Sequence, residues 1–133
     1  MLTKDQLESI TMFHMYAMEF LASMILLDES NDQLNRYNAK YDMLHRSNKL
    51  QAIEYFHQYV YPCKSYIIDN DINYFLNIEK NTNLVAHEDS LIEALQLRKL
   101  WERLTESEKE QNKEHIFQYL KILMFYMEKY YGM

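Results

Sequence analysis

Two acid–histidine pairs at three-residue spacing are the first places in this chain where chemistry could gather: Glu54 with His57, and Asp42 with His45. Residues i and i+3 of a helix share a face, so each pair can aim two ligands into one cavity. Ferritin-like di-metal bundles use two Glu-x-x-His helices with two further glutamates in this way. Glu19, in an otherwise apolar stretch, is the remaining candidate carboxylate. The match is partial. One of the two pairs carries aspartate, and no second buried glutamate is obvious in the apolar helices. With 20 acidic residues and five histidines in 133 positions, such pairs also arise by chance. A small helical metal-dependent enzyme using Glu54 and His57 is therefore the alternative reading, and no metal or cofactor is expected.

The other chemical candidates are weaker. His14 and Glu19 are five residues apart, about 140° around a helix, so they do not face each other. Each is expected to pair with a neighbouring helix or to border the buried face. Cys63 stands beside Pro62 with no pattern marking an activating base. As the single cysteine it has no intrachain disulfide partner, which fits an intracellular, reducing setting. One glycine and one cysteine build neither a phosphate-binding loop nor a cysteine-rich zinc site.

Composition narrows the partners. The net charge is −6 and the basic residues are scattered from Lys4 to Lys129 without a run. Nucleic acid and anionic lipid both need concentrated positive charge, so neither is expected. The first ten residues hold no basic stretch ahead of an apolar one, so the chain does not read as secreted.

The elements that must position these residues are helices. A β-rich or loop-rich chain of this length needs many turn residues, and only one Gly and one Pro occur. Thr3 and Gln6 match a capping box, so the first helix begins near Thr3. Residues 10–27 are nearly continuously apolar, long enough to approach a membrane span. Glu19 near the centre would cost roughly 2.5 kcal/mol or more in lipid, which favours a buried helix. Residues 28–32 make a polar break offering Ser30, Asn31 and Asp32 as caps. Leu34, Tyr37, Tyr41 and Leu44 then mark a second helix. Its phase slips to Leu50, Ile53, Phe56 and Val60, which places a break near Ser47. Pro62 is expected to stop that run around Tyr61. Asp69 to Asp71 could cap a short helix carrying Ile72, Phe75, Leu76 and Ile78.

Residues 80–83 read as a loop, and a further helix is expected to start between His87 and Ser90, carrying Leu91, Leu95, Leu97, Leu100, Trp101 and Leu104. Thr105 and Glu108 form a second capping box opening the last helix. Its first ten residues, 106–115, carry no apolar side chain. Of residues 116–131, all but Gln118, Lys121, Glu128 and Lys129 are apolar or aromatic. Those four fall in a stripe roughly 100° wide. Gly132 stands where a left-handed C-terminal cap would. The whole reads as one all-α domain, residues 1–133, a compact bundle of five to seven helices with the first and last as its apolar spine.

The segments Leu97-Arg-Lys-Leu-Trp-Glu-Arg-Leu-Thr-Glu-Ser-Glu-Lys and His115-Ile-Phe-Gln-Tyr-Leu-Lys-Ile-Leu resemble small helical proteins of giant DNA viruses, the marseillevirus group above all. The resemblance covers about a quarter of the chain and includes no catalytic signature. It implies a virion-packaged or infection-stage protein and carries no functional residue across.

Twelve Tyr, nine Met and six Phe suit a protein interface as well as a core. The apolar girth of the first and last helices is wide for one small bundle to cover. The expected function is therefore non-catalytic, through protein–protein contacts, with a homo-oligomer favoured, a dimer first, and other protein partners possible. Ile116, Leu120, Leu123, Met127 and Tyr130 are the expected interface residues.

Overall fold

Residues 1–77 and 95–133 are described by the computed structural model, and all their regular structure is helical. The fold is all-α. Among the described residues the α-helices are α1 (Lys4–Leu27), α2 (Asp32–Ser47), α3 (Gln51–Tyr55), α4 (Lys64–Ile68), α5 (Ile72–Leu76), α6 (Leu97–Arg103) and α7 (Glu106–Tyr131). The loop expected at 80–83 and the helix start expected between 87 and 90 lie outside the described residues, as do Ile78 and Leu91.

Local chemistry sets the ends of the two long helices. The Thr3 side chain accepts from the Gln6 N–H, and the Gln6 side chain accepts from the Thr3 N–H at 2.9 Å. Thr105 and Glu108 repeat the exchange at the start of α7. Each box satisfies two backbone donors that a helix start otherwise leaves open. At the far end of α7, Gly132 takes φ +71°, and Met133 donates its N–H to the Glu128 carbonyl at 2.9 Å. A side chain resists that left-handed conformation and glycine does not.

α1 and α7 lie antiparallel as the spine. The Gln6 side chain reaches the Tyr130 carbonyl, Tyr16 stacks on Tyr126, and Phe20 stacks on Tyr119. Between them α1 buries Phe13, Ala17, Phe20, Leu21 and Met24, and α7 buries Ile116, Phe117, Leu120, Leu123, Met124 and Met127. All belong to one continuous core, which Leu34, Ile53, Phe56, Ile67, Phe75, Leu95 and Leu100 of the shorter elements complete. By length and composition α1 could also cross a membrane, a test that the core helix of a soluble protein passes too.

The segment around Pro62 differs from expectation. The helical path does not end at Tyr61. It widens into a π turn over Phe56–Val60, tightens to a 3-10 turn over Tyr61–Cys63, and continues as α4. The Tyr61 N–H reaches back five residues to the Phe56 carbonyl. Pro62 occupies the opening turn of the 3-10 segment, where its missing N–H costs little. The wider turn ahead of it relieves the crowding that a proline imposes inside a regular helix. Tyr61 keeps helical angles despite preceding proline. The chain turns at Asn70 instead, which adopts φ +53° while Asp71 donates to the Tyr66 carbonyl. Asp71 then caps α5 through the Tyr74 N–H.

Candidate functional site

Most of the residues singled out for chemistry are held by a partner, and Glu54 is the exception. Glu19 accepts a 2.9 Å hydrogen bond from the Tyr119 hydroxyl at the surface of the α1–α7 seam. Burial, and then Glu19, hold that phenol above its ordinary value. His57 stacks on Tyr131, ring centroids 4.2 Å apart, and lies 5.6 Å from the Tyr61 ring. Glu54 is exposed beside this stack and, after burial, contributes to raising the Tyr131 phenol. Glu54 and His57 thus share a neighbourhood with Tyr131, while Glu19 is bound to Tyr119. Among the described residues no three His, Cys, Asp or Glu side chains converge as a metal site would require.

His45 forms an aromatic pair rather than a ligand pair with Asp42. Its ring stacks face to face on His14, centroids 3.4 Å apart and 6° from parallel, and Tyr41 continues the stack. Imidazole lone pairs lie in the ring plane, so two parallel rings do not converge on one ion. Burial depresses both imidazoles first. The neighbouring His45 lowers His14 further, and Lys49 lowers His45, while Asp42 pulls both upward. Asp42 itself pairs with Arg46 at 3.0 Å. Cys63 is buried with its Sγ 3.4 Å from the Tyr74 hydroxyl. Burial pushes its thiol up, the wrong direction for a nucleophile.

Four of the five expected interface residues lie in the core. Ile116, Leu120, Leu123 and Met127 are at most 1% exposed, inside the core of a single chain. Tyr130 is half-buried at the end of the same seam, where its backbone carbonyl meets Gln6. The physical reason is that α1 lies along that stripe of α7 and covers it. Girth that looked too wide for one chain is shared among α1 on one side and α4 and the π turn on others.

The apolar side chain left outside along the middle of this stretch is Phe125, 58% exposed. Taking Phe125 as zero, Gln118, Lys121, Glu128 and Lys129 fall within about 60° of it at 100° per residue. Phe125 therefore stands at the centre of the polar stripe of α7, roughly 140–180° from Leu120, Leu123, Met127 and Ile116. This was the signal that the apolar count passed over: an aromatic where the helix is otherwise polar.

Two grooves flank this ridge. One, of about 420 Å³, runs between α4 and the C-terminal half of α7, with Ile68, Phe125 and Met133 as its exposed apolar walls. The other, of about 340 Å³, lies on the α1 side of Phe125 over Tyr16, Ile122 and Tyr126. Lys121 borders both grooves, and Lys64, Glu128 and Lys129 border the first. Lys64 donates to both Glu128 oxygens at 2.9 and 3.1 Å, and that bond holds its ammonium above the ordinary value. Among the described residues, no ion pair engages Lys121 or Lys129. Among the described residues this face is an apolar ridge between two troughs with positive charge beside them. No family model, no curated protein and no solved structure matches the chain.

Proposed function

We propose that this chain is a non-catalytic helical protein that works through protein contacts, and that the outward face of α7 around Phe125 makes them. The observation that carries the reading is Phe125 itself, an exposed aromatic at the centre of a polar stripe with an apolar trough on either side. Scattered exposed apolar side chains need no explanation, but a ridge continuous with Ile68, Ile122 and Met133 forms a patch. Glu19, His14, His45, His57 and Cys63 are each engaged in a phenol hydrogen bond, a ring stack or the core, which favours this reading over a metal-dependent one.

Self-association is the other form this reading could take. The α7 stripe expected to join two copies lies in the core, so a second copy would need another exposed face. The giant-virus resemblance of the C-terminal third adds a setting, virion-packaged or infection-stage. Mass spectrometry of purified particles would check it.

The direct test places a photo-crosslinking amino acid at Phe125 and, as control, at the exposed Glu110 on the polar half of the same helix. The expected result is a discrete adduct in source-cell extract from position 125 alone. Adducts of equal yield from both positions, or none, would sink the reading. A stoichiometric metal in the purified protein would favour the Glu54/His57 enzyme instead.

A further inference from the structure

We infer that the occupant of the Phe125 face is an acidic amphipathic helix of another protein, laid across the ridge with apolar side chains in both troughs. This rests on the contact reading above and names its partner. The first ground is charge. The chain carries −6 overall, yet the side chains of this face set Lys64, Lys121 and Lys129 against one carboxylate, Glu128, which Lys64 engages. Among the described residues no side-chain ion pair engages Lys121 or Lys129, which leaves them to answer charge from outside. They are two turns apart on α7, about 12 Å, with Phe125 midway. A matching helix carries carboxylates seven or eight residues apart and apolar residues between them.

The second ground is size. Nine residues line the larger groove and six the smaller, two of them shared, so thirteen described residues form the face. A stable protein–protein interface uses about 20–30 residues a side. One helix suits the smaller face, whereas a permanent dimer does not.

The third ground is that α7 of a second copy fits badly. A twofold antiparallel pairing of α7 centred on Phe125 sets Lys121 of one chain against Lys129 of the other, like charge on like. Sliding the register to bring in the acidic half of α7 fails differently. Residues 106–115 offer glutamates but no apolar side chain to fill a trough. The face therefore calls for carboxylates and apolar groups on one short element, supplied by a partner.

The test uses two fluorescent synthetic helical peptides of about 16 residues, long enough for four turns. One carries glutamates flanking Leu and Phe, and its twin carries lysines at the glutamate positions. Anisotropy titration of the full chain should show the acidic peptide binding at least roughly tenfold more tightly than the twin, with the preference shrinking as salt rises. Phe125→Ala should weaken the acidic peptide about thirtyfold, as loss of a central aromatic anchor does. The double variant Lys121→Glu with Lys129→Glu should reverse the preference. Both variants change exposed side chains, and unchanged circular dichroism would show that they fold. Equal binding of the twins, no binding of either, or indifference to Phe125→Ala would overturn the inference. Sedimentation velocity separates its failure from that of the broader reading. A stable dimer that Phe125→Ala dissolves would overturn this occupant and uphold protein contact, whereas a monomer indifferent to both peptides, with no adduct from position 125, would sink both.

Discussion

The two long contacts of α1 are built from different material. Toward α7 it presents Phe13, Ala17, Phe20, Leu21 and Met24, which meet an equally apolar stripe and exclude water along most of the helix. Toward α2 it meets a helix that buries only Leu34 and Tyr41, and their shared boundary includes two half-buried histidines. Burial of apolar surface is insensitive to pH and has no preferred geometry, whereas hydrogen bonds and stacked imidazoles depend on both. One seam therefore supplies bulk stability. The other fixes where α2 lies, and does so with groups that a single substitution or a change of pH can disturb.

The largest expected effect tests the bulk seam. Leu120 is fully buried at its centre, so Leu120→Ala should cost about 2–5 kcal/mol through lost burial and the cavity left behind. Urea denaturation would read this as a lower midpoint with unchanged slope. A cost below about 1 kcal/mol would show that the seam is loosely packed, and the contrast between the two sides of α1 would fail.

A smaller loss is expected where α1 hands over to α2. Asn31 accepts from the Leu34 N–H to cap α2, and its amide donates to Asp28 and to the Leu95 carbonyl. Arg103 of α6 closes the same knot, donating at 2.7 Å to the buried Asp28 carboxylate. Asn31→Ala removes the cap and leaves the Leu95 carbonyl without that donor, so about 1–3 kcal/mol should be lost. Asn31→Ser keeps a capping oxygen without setting a second carboxylate beside Asp28 and should recover part of the loss. If the two variants melt together, the cap contributes nothing; if the serine variant melts with the unaltered chain, the amide bonds contribute nothing.

These features divide by how local their causes are. Both capping boxes and the Gly132 terminus were legible in the sequence because each is decided within three or four residues. The pairing of α1 with α7 was legible too, because no other segments carry comparable apolar girth. Pro62 misled because the rule against helical residues before proline assumes a regular helix, and a π turn supplies the extra space. The burial of Ile116, Leu120, Leu123 and Met127 was not legible for a related reason. Periodicity shows which stripe of α7 is apolar but not which neighbour covers it, so a stripe buried by α1 reads the same as one awaiting a partner. Phe125 could have been found by asking which residue broke the polar stripe. The His14–His45 stack had no signal at all, since it joins positions 31 residues apart on two helices whose register follows from the Asn31 knot.

That stack gives the mildest prediction, and one specific to the α2 side. Both imidazoles titrate below the ordinary 6.5, through burial first, with His45 lowering His14 and Lys49 lowering His45. The groups that face them are Tyr41, whose hydroxyl lies 3.4 Å from the His14 ring nitrogen, and Asp42, which opposes the shift. A depressed histidine leaves the unfolded chain holding more protons than the folded one between the two values. Its stabilising contribution is therefore fully present above about pH 6.5 and is lost as pH falls through the lower, folded-state values. Glu108, held below the usual carboxylate range by the Thr105 backbone and hydroxyl, loses its contribution only at more acid pH, so the histidine window stands apart from it. Melting curves between about pH 7.5 and pH 5 should show a modest fall that His45→Gln flattens. Amide exchange should place the added opening in α2 and leave the centre of α7 protected. A slope unchanged in the variant, or opening spread evenly over both seams, would mean that the stacked pair is a passive feature of the packing.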